Sequence, residues 1–189
     1  MRRAGYLWTL STVVLVVPFL GVAVGLSVAK PLLIPIGVIA LAHAWIIPEL
    51  YAARGAGVLR RRRRTPSASA ERTALGLLAD LLDHPARELA QRTGLALEPG
   101  RFGAWLIGEA GAVLVRPGGH RLHCYCVTVP EPGLPSADRV AHLLLALRED
   151  EAGFATIANL AFSGASWRLR RRLGPLARDA VSAAVDAAR

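Results

Sequence analysis

The densest group of possible metal ligands and nucleophiles lies in a seven-residue segment that holds His120, His123, Cys124 and Cys126. A structural zinc site needs four convergent ligands, commonly with two to four residues between paired cysteines. Here a single residue separates the cysteines, and in a strand they share one face while His123 points to the other. The spacing therefore favours buried free cysteines, and we predict no metal site.

Signatures of common catalytic and cofactor sites are lacking in the sequence. There is no G-x-S-x-G, no P-loop, no dinucleotide-binding fingerprint and no H-E-x-x-H. We therefore predict no catalytic residue and no cofactor, and a role without enzymatic activity is favoured. An enzyme that acts on a lipid or a lipid-linked substrate is an alternative, with His43, Glu49 or residues 120–126 as participants.

A second alternative is DNA binding, because residues 88–95 (Glu-Leu-Ala-Gln-Arg-Thr-Gly-Leu) resemble the second helix and turn of helix-turn-helix domains. The basic segment of residues 116–121 resembles a wing, so the resemblance implies a membrane-tethered, winged-helix-like regulator. Residues 98–111, where a recognition helix should follow, hold Pro99, four glycines and one Arg against two Glu. Phosphate and base contacts need donors, so nucleic acid is not the expected partner.

Two ionisable residues interrupt the apolar N-terminal third, His43 and Glu49. An ionisable residue inside a membrane is a functional candidate by default, but a neutral imidazole at His43 can also hydrogen-bond to Ser11 or Thr12. Glu49 follows a proline near the expected interface, where Arg54 or the arginines at positions 2 and 3 can neutralise it. We favour a structural role for both residues.

The apolar third is long enough for two membrane spans. Residues 4–29 carry no charge, and after Lys30 a further eighteen residues carry none. A bilayer core needs about 20 apolar residues per helix, which predicts a transmembrane helical hairpin that turns near residues 28–32. A cleaved signal peptide is the alternative, although its apolar region is usually about 7–15 residues.

Basic residues flank the open end of this hairpin and predict its orientation. Arg2 and Arg3 precede the first span, and five consecutive arginines follow the second: Arg60, Arg61, Arg62, Arg63 and Arg64. The positive-inside rule places both termini in the cytoplasm and Lys30 outside, in a multi-pass protein of the cell (inner) membrane. The five arginines are also expected to contact anionic lipid headgroups, at about 1 kcal/mol per residue near the surface.

A row of small residues, Gly21, Gly25 and Ala29, forms a G-x-x-x-G motif in the first span. Small residues let helix backbones approach closely. We expect this row to seat the second span of the same chain, with self-association of two copies as the alternative. The second span offers a matching small face: Gly37, Ala40 and Ala44.

The charge distribution separates the hairpin from the rest of the chain. Residues 1–64 hold nine of the 23 basic residues and one of the 14 acidic ones, which is +8 of the net +9. The remainder is nearly neutral, unlike a nucleic-acid-binding surface. Its Trp167 and the arginines at 168 and 170–172 form a second basic run, for which contact with the membrane and neutralisation by residues 149–151 are equally favoured.

The remaining residues predict a small cytoplasmic α+β domain, an antiparallel β-meander of three or four strands flanked by helices. We divide the chain into a hairpin (1–53), a polybasic segment and linker (54–69) and this domain (70–189). Predicted helices cover 70–82, 85–94, 136–147 with Ser136 as N-cap, 154–162 and 175–189; predicted strands cover 95–97, 104–107, 112–115 and 122–129. We interpret the protein as a non-enzymatic accessory or scaffold subunit whose partners are anionic lipid and another protein or a second copy.

Overall fold

The computed structural model describes residues 2–60, 67–127, 129, 131 and 133–189. The chain begins with helix α1 (Arg2–Ala29), reverses at Lys30 and a 3₁₀ turn (Pro31–Leu33), and continues in helix α2 (Ile34–Gly57). The turn starts with a proline, whose fixed φ suits the first position of a helix and whose missing N–H is not needed there. The chain therefore reverses within the predicted segment.

Helices α1 and α2 pack against each other as an antiparallel hairpin. Gly37 allows the close approach, because a Cβ there would lie 3.1 Å from Ser27 Oγ and 3.2 Å from the Ala23 carbonyl oxygen. Further along, the rings of Phe19 and His43 stack with their centroids 5.5 Å apart. The small face predicted on the second helix, Gly37 with two alanines, is buried.

The G-x-x-x-G row of α1 lies on the outer side of the hairpin. Gly21, Gly25 and Ala29 are exposed, and among the described residues a Cβ added at either glycine meets no atom within 4 Å. The contact with α2 uses Ala23 and Ser27 instead, and Ala23 is two positions, about 200°, around the helix from Gly21. The row does not seat α2, so the expectation that it does is corrected, while self-association stays a prediction.

One described segment, Pro31–Gly57, is long and apolar enough to cross a membrane, with 27 residues and a mean hydropathy of 1.9. In α1, the apolar stretch with described side chains is Val16–Ala29, which is shorter than Pro31–Gly57. Both helices and the turn between them expose large apolar side chains over 43% to 87% of their surface: Val13, Val14, Val17, Leu20, Val22, Val24, Val28, Leu32, Ile34, Ile36, Val38, Ile39, Leu41, Trp45, Ile46 and Leu50.

The rest of the chain forms one five-stranded antiparallel sheet with helices on both faces, as the α+β prediction requires. Helices α3 (Ala68–Asp80) and α4 (His84–Thr93) precede the sheet. Its strands follow the chain order: β1 (Ala96–Gly100), β2 (Gly103–Gly108), β3 (Gly111–Val115), β4 (Arg121–Cys126) and β5 (Asn159–Ala165). Helices α5 (Ser136–Glu149) and α6 (Glu151–Ile157) connect β4 to β5, and α7 (Ser166–Arg170) and α8 (Pro175–Ala187) end the chain.

Local signals account for several helix ends. The side chains of Ser67 and Asp83 accept N–H bonds at the starts of α3 and α4, at 3.2 and 3.0 Å. Gly94 ends α4 at a φ of 73°, which glycine adopts without strain. Helix α5 differs from the prediction: Pro135 is its N-cap, and Ser136 is already helical.

The predicted helix over residues 154–162 is wrong, because α6 ends at Ile157 and β5 follows it. Strand β5 pairs with β4, with Phe162 opposite Cys124 and Ser163 opposite His123. The apolar residues of this stretch suit a helix or a strand when taken alone. The open edge of β4 decides between them, since pairing there satisfies the backbone of both strands.

The end of α2 belongs to the core of the domain. One face of the sheet packs against α8 and the last residues of α2, where Ala52 and Ala56 are fully buried. A Cβ on Gly55 would lie 2.6 Å from Phe162 Cβ and 3.1 Å from Cys124 Sγ. The other face of the sheet packs against α3, α5 and α6. Residues 54–59, assigned to a linker from the sequence, are therefore partly core.

Candidate functional site

The histidine and cysteine residues of β4 do not form a metal site. Cys124 is buried in the core, Cys126 is half-buried, and both are free thiols. His123 points to the opposite face of the sheet. Burial raises the pKa of the Cys124 thiol far above its usual range, so this thiol is unreactive. No group of three or more His, Cys, Asp or Glu within the described residues is placed to hold a metal ion.

His43 makes its polar contact within its own helix. Its Nδ1 lies 2.8 Å from the Ile39 carbonyl oxygen, one helical turn earlier, and its ring stacks on Phe19. In the tautomer with a proton on Nδ1 the imidazole donates this bond. The side chains of Ser11 and Thr12, the partners considered from the sequence, lie outside what the structure describes.

Glu49 connects α2 to the second basic run, which begins in α7. Its carboxylate accepts bonds from both Nε, at 3.0 Å, and an Nη of Arg172. The Glu49 side chain is only 15% exposed and that of Arg172 is 42% exposed. The partners expected from the sequence, Arg54 or the N-terminal arginines, are therefore not the partner observed. No local sequence pattern indicates a partner 123 positions away.

The two basic runs differ in what the structure describes of them. Arg60 is exposed, and its N–H donates to the Gly57 carbonyl oxygen. Arg61, Arg62, Arg63 and Arg64 lie outside the described residues, so their predicted lipid contact stays a prediction.

In the second basic run, Trp167 is 48% exposed. The guanidinium groups of Arg168 and Arg171 lie 5.2 and 5.8 Å from the centre of its ring, within the range of cation–π contacts. Helix α7, which carries this run, packs against α2. The run therefore lies beside the apolar hairpin.

Glu151, one of the acids considered for neutralising the second basic run, has other partners. Its carboxylate accepts the backbone N–H groups of Arg101 and Phe102 at 2.8 and 2.9 Å, and the Trp105 indole N–H at 2.6 Å. Asp150 beside it caps α6 through Gly153 N–H at 2.8 Å. These acids hold the β1–β2 turn and start a helix.

A cavity of about 510 Å³ lies where the hairpin meets the domain, and we name it the junction cavity. One wall is α1 and Pro48, and the other is β5 with the start of α7. Its lining is apolar except for two arginines and one serine: Val13, Val16, Val17, Leu20, Pro48, Arg121, Phe162, Ser163, Gly164, Ala165 and Arg168. The lining residues that the structure describes include no acid.

Ser163 lies in the lining of this cavity, and its cross-strand neighbour is His123. Ser163 is 3% exposed, and neither its hydroxyl nor His123 Nδ1 has a hydrogen-bond partner among the described residues. Burial, with Arg116 and Arg121 adding repulsion, lowers the pKa of His123 to about 4. The imidazole is therefore neutral at physiological pH, and the positive charge at the cavity comes from arginine.

Two further polar groupings have structural roles. Ser136 donates its backbone N–H to Glu71 Oε2 at 2.9 Å and its hydroxyl to Glu109 Oε2 at 2.6 Å, which ties α3 and the β2–β3 turn to α5.

A second cavity, of about 540 Å³, lies between α5, α6 and the β4–β5 end of the sheet and includes Cys126 and the capping Asp150. Neither grouping gathers an acid, a base and a nucleophile around an open space.

The junction cavity is the best candidate site, and it was not predicted from the sequence. Arg121, Ser163 and Arg168 lie far from the hairpin in sequence, and two of them flank the end of the strand that was predicted as a helix. Their only sequence signal was the basic run that includes Arg168. No family model, no curated protein and no solved structure that was compared with this chain matches it.

Proposed function

We propose that this protein is a two-span membrane protein with both termini in the cytoplasm, and that its α+β domain serves as a non-enzymatic accessory or scaffold subunit. In this proposal α1 is the second membrane span beside α2. The hairpin lies in the bilayer, and the sheet domain stands at the cytoplasmic surface.

The single observation that carries the proposal is the continuity of α2. Its first part exposes large apolar side chains such as Ile39 and Trp45, and its last turns are buried in the domain core around Ala52 and Gly55. Exposed apolar surface of this extent is typical of a membrane or a partner. A helix shared by both regions supports a domain held in a fixed orientation rather than one on a flexible tether.

The Glu49–Arg172 pair supports the same proposal. It joins α2 to the domain at the level where the apolar surface ends. A half-buried ion pair between two elements restricts how one rotates against the other. The domain would then present a constant face to a partner in or on the membrane.

The alternatives receive less support from the geometry. Residues 98–111, the segment expected for a recognition helix, lie in strands β1 and β2, the turns that follow these strands and the first residue of β3. For the enzyme alternative, His43 bonds within its helix, Glu49 is paired with Arg172, and Cys124 is buried. Both alternatives remain outcomes of the tests below.

The accessory role is tested by gentle purification of the tagged full-length protein from native membranes, with the co-purifying proteins quantified against an untagged strain. We expect one membrane or membrane-bound protein in near-stoichiometric amount, retained in high salt. A monodisperse single chain with no enriched protein contradicts the accessory role.

Two further assays separate the alternatives. The full-length protein in lipid nanodiscs is titrated with mixed duplex DNA at low salt, because residues 52–59 are part of the domain core and a truncated domain would lack them. Tight DNA binding would favour the regulator over our proposal. Alanine at His43 and at His120 is expected to leave the cellular phenotype unchanged at equal abundance, whereas loss of function in such a variant favours an enzyme.

A further inference from the structure

We infer that the junction cavity binds one anionic phospholipid from the cytoplasmic leaflet, with its phosphate at Arg121 and Arg168 and its acyl chains along α1. This inference rests on the proposed function, since the hairpin must lie in a bilayer to meet the lipid. It deepens that proposal by naming a ligand and a site.

The shape and lining of the cavity fit an amphiphile. Its volume of about 510 Å³ is in the range of small-molecule sites, which is about 300–1,000 Å³. The described α1 residues of the wall are aliphatic, and Val13, Val17 and Leu20 are each at least 43% exposed. This wall continues without interruption into the exposed apolar surface of the hairpin, so acyl chains can leave the cavity directly into the bilayer.

The polar side of the cavity fits a phosphate ester. Arg121 and Arg168 line it, no described acid does, and arginine matches phosphate oxygens with paired donors. The described lining holds two arginines and no acid, which favours an anionic lipid over a zwitterionic one.

Neighbouring residues place this polar side at the membrane surface. Trp167, half-exposed and stacked by Arg168 and Arg171, is the residue type that concentrates at membrane interfaces. The nearby Glu49 carboxylate is occupied by Arg172, so it does not compete for Arg168. The headgroup and acyl regions of the site therefore align with the corresponding layers of a bilayer.

The test uses the delipidated full-length protein in dodecyl maltoside, with binding of phosphatidylglycerol and phosphatidylcholine of identical chains measured by native mass spectrometry. We expect the wild type to bind phosphatidylglycerol more tightly than phosphatidylcholine. Replacing both cavity arginines (Arg121→Gln with Arg168→Gln) is expected to weaken it by about fivefold per guanidinium. The matched control removes two exposed arginines outside the cavity (Arg92→Gln with Arg178→Gln) and should bind like the wild type.

A second variant tests the acyl part of the site. Val17→Trp fills the cavity from the exposed α1 wall while leaving the arginines unchanged, and it is expected to weaken binding of both lipids. Circular dichroism melting curves show whether each variant is folded, and lipid binding is compared only among variants that melt like the wild type. Inorganic phosphate is the competing probe, and we expect it to displace phosphatidylglycerol poorly because it makes no apolar contact.

Three results would overturn the inference: equal phosphatidylglycerol binding by the cavity double variant and the control, full binding by Val17→Trp, or ready displacement by inorganic phosphate. The assay is independent of orientation in the cell, because it is performed in micelles. Failure of lipid binding with correct topology therefore refutes the site alone, whereas wrong topology with intact binding refutes the proposed function.

Discussion

Among single residues, His123 is the titratable group whose protonation the fold most disfavours. Burial and the nearby Arg116 and Arg121 lower its pKa to about 4, while Tyr125 on the same face has a pKa raised to about 12 by burial. Both side chains are therefore neutral near pH 7. The sequence shows the histidine but not its environment, because the edge strand that covers it was predicted as a helix.

The lowered pKa of His123 makes stability depend on pH with a definite sign. An unfolded histidine titrates near pH 6.5, so between pH 6.5 and 4 the unfolded state binds more protons, and stability falls as the pH is lowered. For a pKa shift of this size, the free energy of unfolding falls by up to about 3 kcal/mol. Between pH 6.5 and 4 we expect the melting temperature of His123→Gln to fall less than that of the wild type. Identical melting-temperature profiles of the two proteins against pH would contradict this.

Gly55 is the residue on which the contact between α2 and the sheet depends most closely. Gly55→Ala places a methyl group 2.6 Å from Phe162 Cβ and is expected to cost about 1–3 kcal/mol through overpacking, although alanine favours helix. Gly57→Ala is the control, because a Cβ there meets no described atom within 4 Å, and it should be neutral or stabilising. Equal melting temperatures for the two variants would contradict the described packing.

Among the elements, those with strong local signals were predictable and those defined by pairing were not. Helices α3 and α4 have side-chain N-caps, and α4 ends at a glycine in the left-handed region, all visible in the sequence. Strand β5 has no such signal, since its identity comes from the open edge of β4. The same limit applies to the G-x-x-x-G row, because spacing marks a small face without telling which helix it meets.

The packing register of the hairpin can be tested with two glycines of opposite placement. Gly37→Leu is expected to separate α1 from α2, because a Cβ at Gly37 already lies 3.1 Å from Ser27 Oγ and 3.2 Å from the Ala23 carbonyl. Gly25→Leu should leave the hairpin intact, since its Cβ direction is open. The measurement is thermal melting in detergent micelles by circular dichroism, and a larger loss for Gly25→Leu than for Gly37→Leu would contradict this register.

At the scale of the whole molecule, the hairpin and the sheet domain share a core. Charge and hydropathy divide the sequence near residue 54, but Ala56, Val58 and Leu59 beyond that point are buried against the sheet. Composition predicts a boundary there, but residues on both sides of it pack in the same core. The junction cavity exists only because the two regions meet, so composition alone does not predict it.

The proposed topology has the apolar hairpin crossing the membrane and returning, with the domain in the cytoplasm. Its most direct test is a cysteine at the hairpin turn (Lys30→Cys), probed in intact cells with a membrane-impermeant maleimide. The wild type, whose two native cysteines are buried or half-buried, gives the background, and Arg92→Cys marks the domain. We expect Lys30→Cys to label in intact cells and Arg92→Cys only after permeabilisation. If both Lys30→Cys and Arg92→Cys label only after permeabilisation, the hairpin turn does not face the outside and the proposed topology is wrong.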